Sequence, residues 1–394
     1  MRIIIPLVLL VGLTGCLNTG SSIDDPPVSK GSAEPSLVNT ENGLILSWME
    51  PNEGDILLQM SVHNGIKWTS PKTIAKGEDW FVNWADFPAI VANGDMLFVH
   101  FLQKSASETF AYDVMYSVST DFGSNWSTPL KLHQDTVFAE HGFVSAIPYE
   151  QGFYVSWLDG RNTVNKEPMT IRAAYVDEQG NLSNAAEIDS TTCDCCQTTM
   201  AMAGGEPITF YRDRSNDEIR DIYYSILVDD NWTNPKSLNA DDWYIAGCPV
   251  NGPRAVSIGN TTAVAWFTGA NEEEKVKLKI SSDNGNTFGD EIIVDSPNAL
   301  GRVDIQMDSA RIYVTYLTKP DNRTSIKLSI YDYAGQLLDS KLIAGVKPDR
   351  GTGFPRTAIW HEQLIITWTD IDEMKVKVLK YPLNKESFTG RVKF

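Results

Sequence analysis

A short apolar run closing on an aromatic residue recurs seven times along this chain, and that repeat restricts the fold more than any other feature. The runs end at Trp48, Phe101, Trp157, Tyr211, Trp266, Tyr316 and Trp368, so successive copies lie 50 to 56 residues apart. Leu44-Ile45-Leu46-Ser47-Trp48 and Leu364-Ile365-Ile366-Thr367-Trp368 show the first and last copies. Runs rich in β-branched and aromatic side chains, split by turns such as Asn42-Gly43 and Asn93-Gly94, read as strands. Another short strand precedes each turn, as at residues 87–91 and 143–147, and two more candidates follow each run. Four strands per unit and seven units make an all-β chain, a β-propeller, in which each blade needs its neighbours to bury its faces. Residues 35–394 are expected to form this single domain, with no helix longer than a turn or two.

The amino terminus reads differently. Met1-Arg2 supplies a positive start, and residues 3–13 are an apolar stretch of signal-peptide length, too short to span a bilayer as a helix. Leu13-Thr14-Gly15-Cys16 resembles the bacterial lipobox. The resemblance implies a signal peptide over residues 1–16 and lipid modification of Cys16. Leu17, rather than an aspartate, follows the cysteine, which in such lipoproteins implies an outer-membrane destination, facing the periplasm or the cell surface. Residues 17–34, rich in Ser, Asp, Pro and Gly, are expected to be a flexible tether. The membrane is thus expected to be an anchor point only.

Charge narrows the partners. With 51 acidic residues against 33 basic ones, the net charge is −18, which offers phosphates no attractive field and excludes nucleic acid as a partner. A monomer is expected. No Gly-x-Ser-x-Gly elbow, phosphate-binding loop or dinucleotide fingerprint occurs.

A second repeated element lies further along the units. Ser119-Thr120-Asp121-Phe122-Gly123-Ser124-Asn125-Trp126 matches Ser-x-Asp-x-Gly-x-x-Trp at every defined position, and residues 281–288 match with Phe288 for Trp. Residues 61–68 and 225–232 are worn copies. In such a turn Asp caps backbone amides, Gly takes a positive φ and the aromatic tucks between blades, so the element is a staple and not a site. On these boxes the chain resembles the sialidase superfamily of Asp-box (BNR) repeat propellers. Hydrolytic members of that superfamily usually have six blades, a six-bladed ring being the alternative to seven here. They clamp a sialic acid carboxylate with three arginines and use a Tyr/Glu nucleophile pair and an Asp acid/base. This sequence departs from them: after Arg2 there is no arginine before Arg161, and the Arg-Ile-Pro motif is absent.

In an up-and-down blade the loops leading into first strands, and those joining second to third strands, converge at one end of the ring. Here those loops are loaded with Trp84 and Asp86, Glu140, Arg161, Arg212 and Arg214, Asn251, Arg302 and Asp304, and Arg350 and Arg356. The same end receives Cys193, Cys195, Cys196 and Cys248, with His133 and His141. A propeller body needs none of these to fold. If the superfamily chemistry were present, Arg212, Arg302 and Arg356 would form the clamp, Asp86 would be the acid, and Tyr211 or Tyr244 the nucleophile. The competing reading pairs the arginines with Asp213, Asp217, Glu218 and Asp304 in a salt-bridged rim. The cysteines admit three readings: disulfides, as in exported proteins, a copper or zinc site completed by the histidines, or free structural thiols. His63, His100 and His361 read as structural. The function expected is recognition of a small anionic ligand or glycan at the channel mouth, with a sialidase-like glycoside hydrolase and an envelope copper or zinc protein as alternatives. A scaffold for other envelope proteins is a fourth.

Overall fold

The computed structural model describes residues 25–383; the signal peptide and Cys16 lie outside the described residues, as do residues 384–394. Seven antiparallel sheets follow one another around a ring. The innermost strands are Ala33–Thr40, Ala89–Asn93, His141–Tyr149, Thr199–Ala203, Arg254–Ile258, Ala299–Met307 and Arg356–Trp360. Each is followed by a second strand that carries one of the seven repeated aromatics: Gly43–Asn52, Met96–Lys104, Gly152–Asp159, Glu206–Arg212, Thr261–Thr268, Arg311–Thr318 and Gln363–Asp370. The count is therefore seven blades, and the six-bladed alternative is set aside. Among the described residues, helix is confined to four three-residue turns.

The second strands are apolar on both faces because both are covered. Gly152–Asp159 and Thr261–Thr268 are buried at all eight positions. Apolar side chains collect into seven clusters, one between each pair of neighbouring blades. A ring of interfaces thus replaces a single central core, which is the arrangement that makes each unit depend on its neighbours. In three of the four tryptophan anchors the indole N–H finds a carboxylate: Trp48 with Glu50 and Trp157 with Asp159 at 2.9 Å, Trp266 with Asp241 at 2.7 Å.

The Asp boxes behave as read. Asp121 Oδ1 accepts from Asn125 N at 2.8 Å, Ser119 Oγ accepts from Gly123 N at 2.9 Å, and Gly123 has φ 73°. Trp126 packs in the cluster between blades one and two, and Phe288 meets Phe210 and Tyr224 of the preceding blade.

Three boundaries differ from the sequence expectation. The stretch read as a tether is seated on the body over its final residues: Gly31 N donates to Met374 O at 2.7 Å, and Ser32, 1% exposed, accepts from Val376 N. The first strand begins at Ala33. The seventh blade shows three strands among the described residues, Lys375–Pro382 being its last, so it is the apolar cluster of Trp48, Trp68, Trp360 and Ile365 that closes blade seven on blade one.

Candidate functional site

Alternation of strand direction sends all loops leading into first strands to one end and the Asp boxes to the other. Three innermost strands begin there with a β-bulge whose residue takes a left-handed conformation: Glu34 (φ 53°), Phe143 (φ 52°) and Arg302 (φ 51°). Non-glycine residues in this region are strained, and such strain gathers at built sites.

Gln197 ties the mouth together. Its side-chain amide donates to Ala85 O at 2.6 Å and accepts from Gly252 N at 2.9 Å, linking the loops that lead into blades two, four and five. A Cβ on Gly252 would lie 1.9 Å from Gln197 O, so only glycine fits. Gln197 stood in the sequence as one polar residue after the cysteines, with nothing in the local pattern to single it out.

On one side lies a cavity of about 370 Å³ lined by Trp84, Cys248, Asn251, Arg302 and Arg350, together with Lys319, Lys347 and Asp349. The Arg302 guanidinium stacks on Trp84 with its carbon 4.7 Å from the ring centroid, and Arg350 approaches the same ring at 5.9 Å. Asn251 Oδ1 accepts from Arg302 N at 2.7 Å, and Arg302 Nη1 donates to Asp349 O and Gly353 O, both at 3.0 Å. Burial pulls Arg302 down to about 10, against the opposing attraction of Asp349 and Glu34. Burial likewise pushes Glu34 up to about 8, despite Arg302. Sequence reasoning named Trp84, Asn251, Arg302 and Arg350 for one site, and the ring does bring them together. Lys319 and Lys347 were missed because isolated loop lysines carry no spacing signal.

Asp86 and Glu140 meet on one phenol. Tyr112 Oη lies 2.6 Å from Glu140 Oε1 and 3.1 Å from Asp86 Oδ2, and Phe143 N donates to Asp86 Oδ1 at 2.7 Å. A phenol has a single hydrogen, so all contacts are satisfied only if a carboxyl keeps a proton. Burial, the largest influence on both, raises Asp86 to about 7 and Glu140 to about 8. Tyr112 is fully buried, and Asp86 is 2% exposed.

Several expected ligand residues serve the scaffold instead. Arg212, 1% exposed, is surrounded by carbonyls: it donates to Asn251 O, Arg220 O and Phe267 O at 2.6–3.2 Å. It cannot join a carboxylate clamp. Tyr211 is buried between blades three and four and donates to Asp189 at 2.6 Å. Tyr244 is 67% exposed and bridges Ile219 through its backbone. Arg161 forks onto Asp159 and Arg214 onto Glu218. Asp304, 1% exposed, accepts from Thr357 N and Oγ1 and pairs with Arg254 at 3.1 Å and Arg356 at 3.6 Å. Burial and the neighbouring Arg254 pull Arg356 down to about 10. The rim reading therefore holds for Arg214, Arg356 and Asp304.

The histidines separate from the thiols. His133 and His141 stack on each other at 3.6 Å between blades two and three, enclosed by Asp113, Asp135 and Asp159. Arg161 adds a positive charge beside Asp135 at 3.2 Å. The mixed Cys/His metal sets considered from sequence are not brought together. Cys193, Cys195, Cys196 and Cys248 are all unpaired, so no disulfide forms among them.

Among solved structures, the chain is similar to a Penicillium chrysogenum α-L-arabinanase complexed with arabinobiose. Identity is 13%, the TM-score is 0.51, and the match covers 93% of this chain and 99% of that one. A Trypanosoma rangeli sialidase in complex with sialic acid matches with 13% identity and TM-score 0.44, over 78% of this chain and 55% of that one. The β-propeller domain of the Trilobed protease from Pyrococcus furiosus matches with 10% identity and TM-score 0.47, over 93% of this chain and 98% of that one. No curated protein sequence matches. The family model described as a BNR repeat-like domain matches residues 51–363. The seven blades, the Asp boxes and this match agree, and the chain belongs to the BNR repeat-like domain family.

Proposed function

We propose that this protein recognises a small anionic ligand, an acidic glycan, in the cavity walled by Trp84, Arg302 and Arg350. The observation that carries the reading is the charge of that wall: Arg302, Arg350, Lys319 and Lys347 against Asp349, in a chain of net charge −18. An acidic protein gathers four cations in one concavity at a cost in self-repulsion that an anion relieves. Trp84 adds a flat apolar face of the kind on which a sugar ring packs. The arabinanase of similar fold holds a disaccharide, which supports a glycan as the class of ligand. Export as an outer-membrane lipoprotein through Cys16 is part of the same proposal and is supported by the lipobox-like sequence.

Calorimetric titration with sialyllactose and oligogalacturonate, beside neutral arabinobiose, tests the reading. Acidic sugars are expected to bind, more weakly at high salt, and Arg350→Ala to weaken them by about tenfold, the effect of roughly 1.4 kcal/mol. Equal binding of arabinobiose, untouched by Arg350→Ala, would sink it.

A glycoside hydrolase is the second reading, favoured by the Asp86–Tyr112–Glu140 cluster, where a carboxyl retains its proton near neutral pH as a general acid must. The burial of Tyr112 argues against that phenol as a nucleophile. Loss of hydrolysis of umbelliferyl glycosides in Glu140→Gln would promote this reading over simple recognition.

A further inference from the structure

Three thiols at the loop end, those of Cys193, Cys195 and Cys196, are used by neither reading, and a fourth, Cys248, lines the anion cavity. Cys193, Cys195 and Cys196 form the turn between the last strand of blade three, Leu182–Thr192, and the first strand of blade four; Cys193 N donates to Arg212 O at 3.0 Å. Cys193 Sγ lies 3.8 Å from Cys195 Sγ and 3.7 Å from Cys196 Sγ. A disulfide needs about 2.05 Å. By contrast, sulfurs about 2.3 Å from a shared metal are about 3.8 Å apart at tetrahedral angles and about 4.0 Å apart in a plane. The three sulfurs already stand at metal-site spacing.

We propose that Cys193, Cys195 and Cys196 bind one thiophilic monovalent cation, Cu(I), through three sulfurs. The donor set is all sulfur, which selects soft ions over hard ones. The three sulfurs lie mutually within 4.8 Å, whereas Cys248 approaches only Cys195 and Asp194 within that distance, so the site is three-coordinate rather than a closed four-sulfur cage. Cys193 and Cys196 are 0% and 1% exposed, which shields the ion from water and from oxidation. Arg220 Nη1 stands 3.2 Å from Cys193 Sγ, a positive charge set beside the three sulfurs. Cys248 is exposed, lines the anion cavity and touches Cys195, and so stands where an incoming ion would be handed on.

The test is a competition on the full-length chain, reduced and kept anaerobic, in which Cu(I) is titrated against the chromophoric chelator bicinchoninate. One Cu(I) per chain is expected to leave the chelator, with an ultraviolet thiolate-to-copper band and an X-ray absorption shell made of sulfur alone. Cys195→Ser is expected to lower the affinity at least tenfold, and Cys248→Ser, on an exposed position that does not endanger folding, to keep the stoichiometry. Copper left entirely with the chelator while Cys193, Cys195, Cys196 and Cys248 titrate as reduced thiols overturns the proposal. So does a nitrogen shell, or zinc retained in preference to copper.

Discussion

Replacing Arg212 by methionine separates a scaffold arginine from a ligand arginine. Methionine keeps most of the apolar stem packed while removing the guanidinium. The change deletes donors to Asn251 O, Arg220 O and Phe267 O, and a stacking contact with Trp243 at 4.8 Å. Leaving a buried acceptor unsatisfied costs about 1–3 kcal/mol. Second lone pairs and the recovered cost of burying the charge offset part of the sum, which leaves about 3–5 kcal/mol. Unfolding entropy near 2.1 cal/mol/K per residue amounts, over residues 25–383, to roughly 0.75 kcal/mol per degree. The expected fall in thermal midpoint is therefore about 4–7 °C by calorimetry, with binding of acidic sugar at 20 °C below the midpoint unchanged. A midpoint within a degree of the parent, combined with lost sugar binding, would refute the scaffold role.

Two further outcomes follow from the mouth. Gln197→Ala orphans Ala85 O and Gly252 N, so it is expected to lower stability by about 2–4 kcal/mol and to speed hydrogen exchange selectively in the loops around residues 85 and 252; urea unfolding with exchange mass spectrometry measures both. Glu34, raised from 4.5 to about 8, binds a proton more tightly folded than unfolded, so its stability contribution is complete below about pH 4.5 and is lost as pH rises through about 8. Glu34→Gln is expected to gain a few kcal/mol relative to the parent between pH 5 and 9, and a constant difference in urea midpoint across that range would contradict the assignment.

The division between what local pattern reveals and what it hides is clear in particular residues. Trp48 through Trp368 announce seven second strands because a strand buried on both faces must be apolar along its whole length, and length and turn chemistry then set the spacing. Gly123 and Asp121 announce their turn because only certain residues satisfy a left-handed position and cap amides within a few residues. The end of the ring that receives the candidate site residues is also legible, since strand direction alternates without exception within a blade.

What the sequence by itself determined, then, is the number of blades, the staples between them, and the set of side chains delivered to one end. Only the tertiary structure decided which of them meet. Gln197 reaches Ala85 across 112 positions of chain, Tyr112 gathers Asp86 and Glu140, Arg212 is enclosed by carbonyls, and the histidines stack apart from the thiols. These contacts join loops of different blades, with no repeating hydrogen-bond pattern to fix them. Their partners are set by the angle each blade occupies around the ring, a property that no window of local sequence contains.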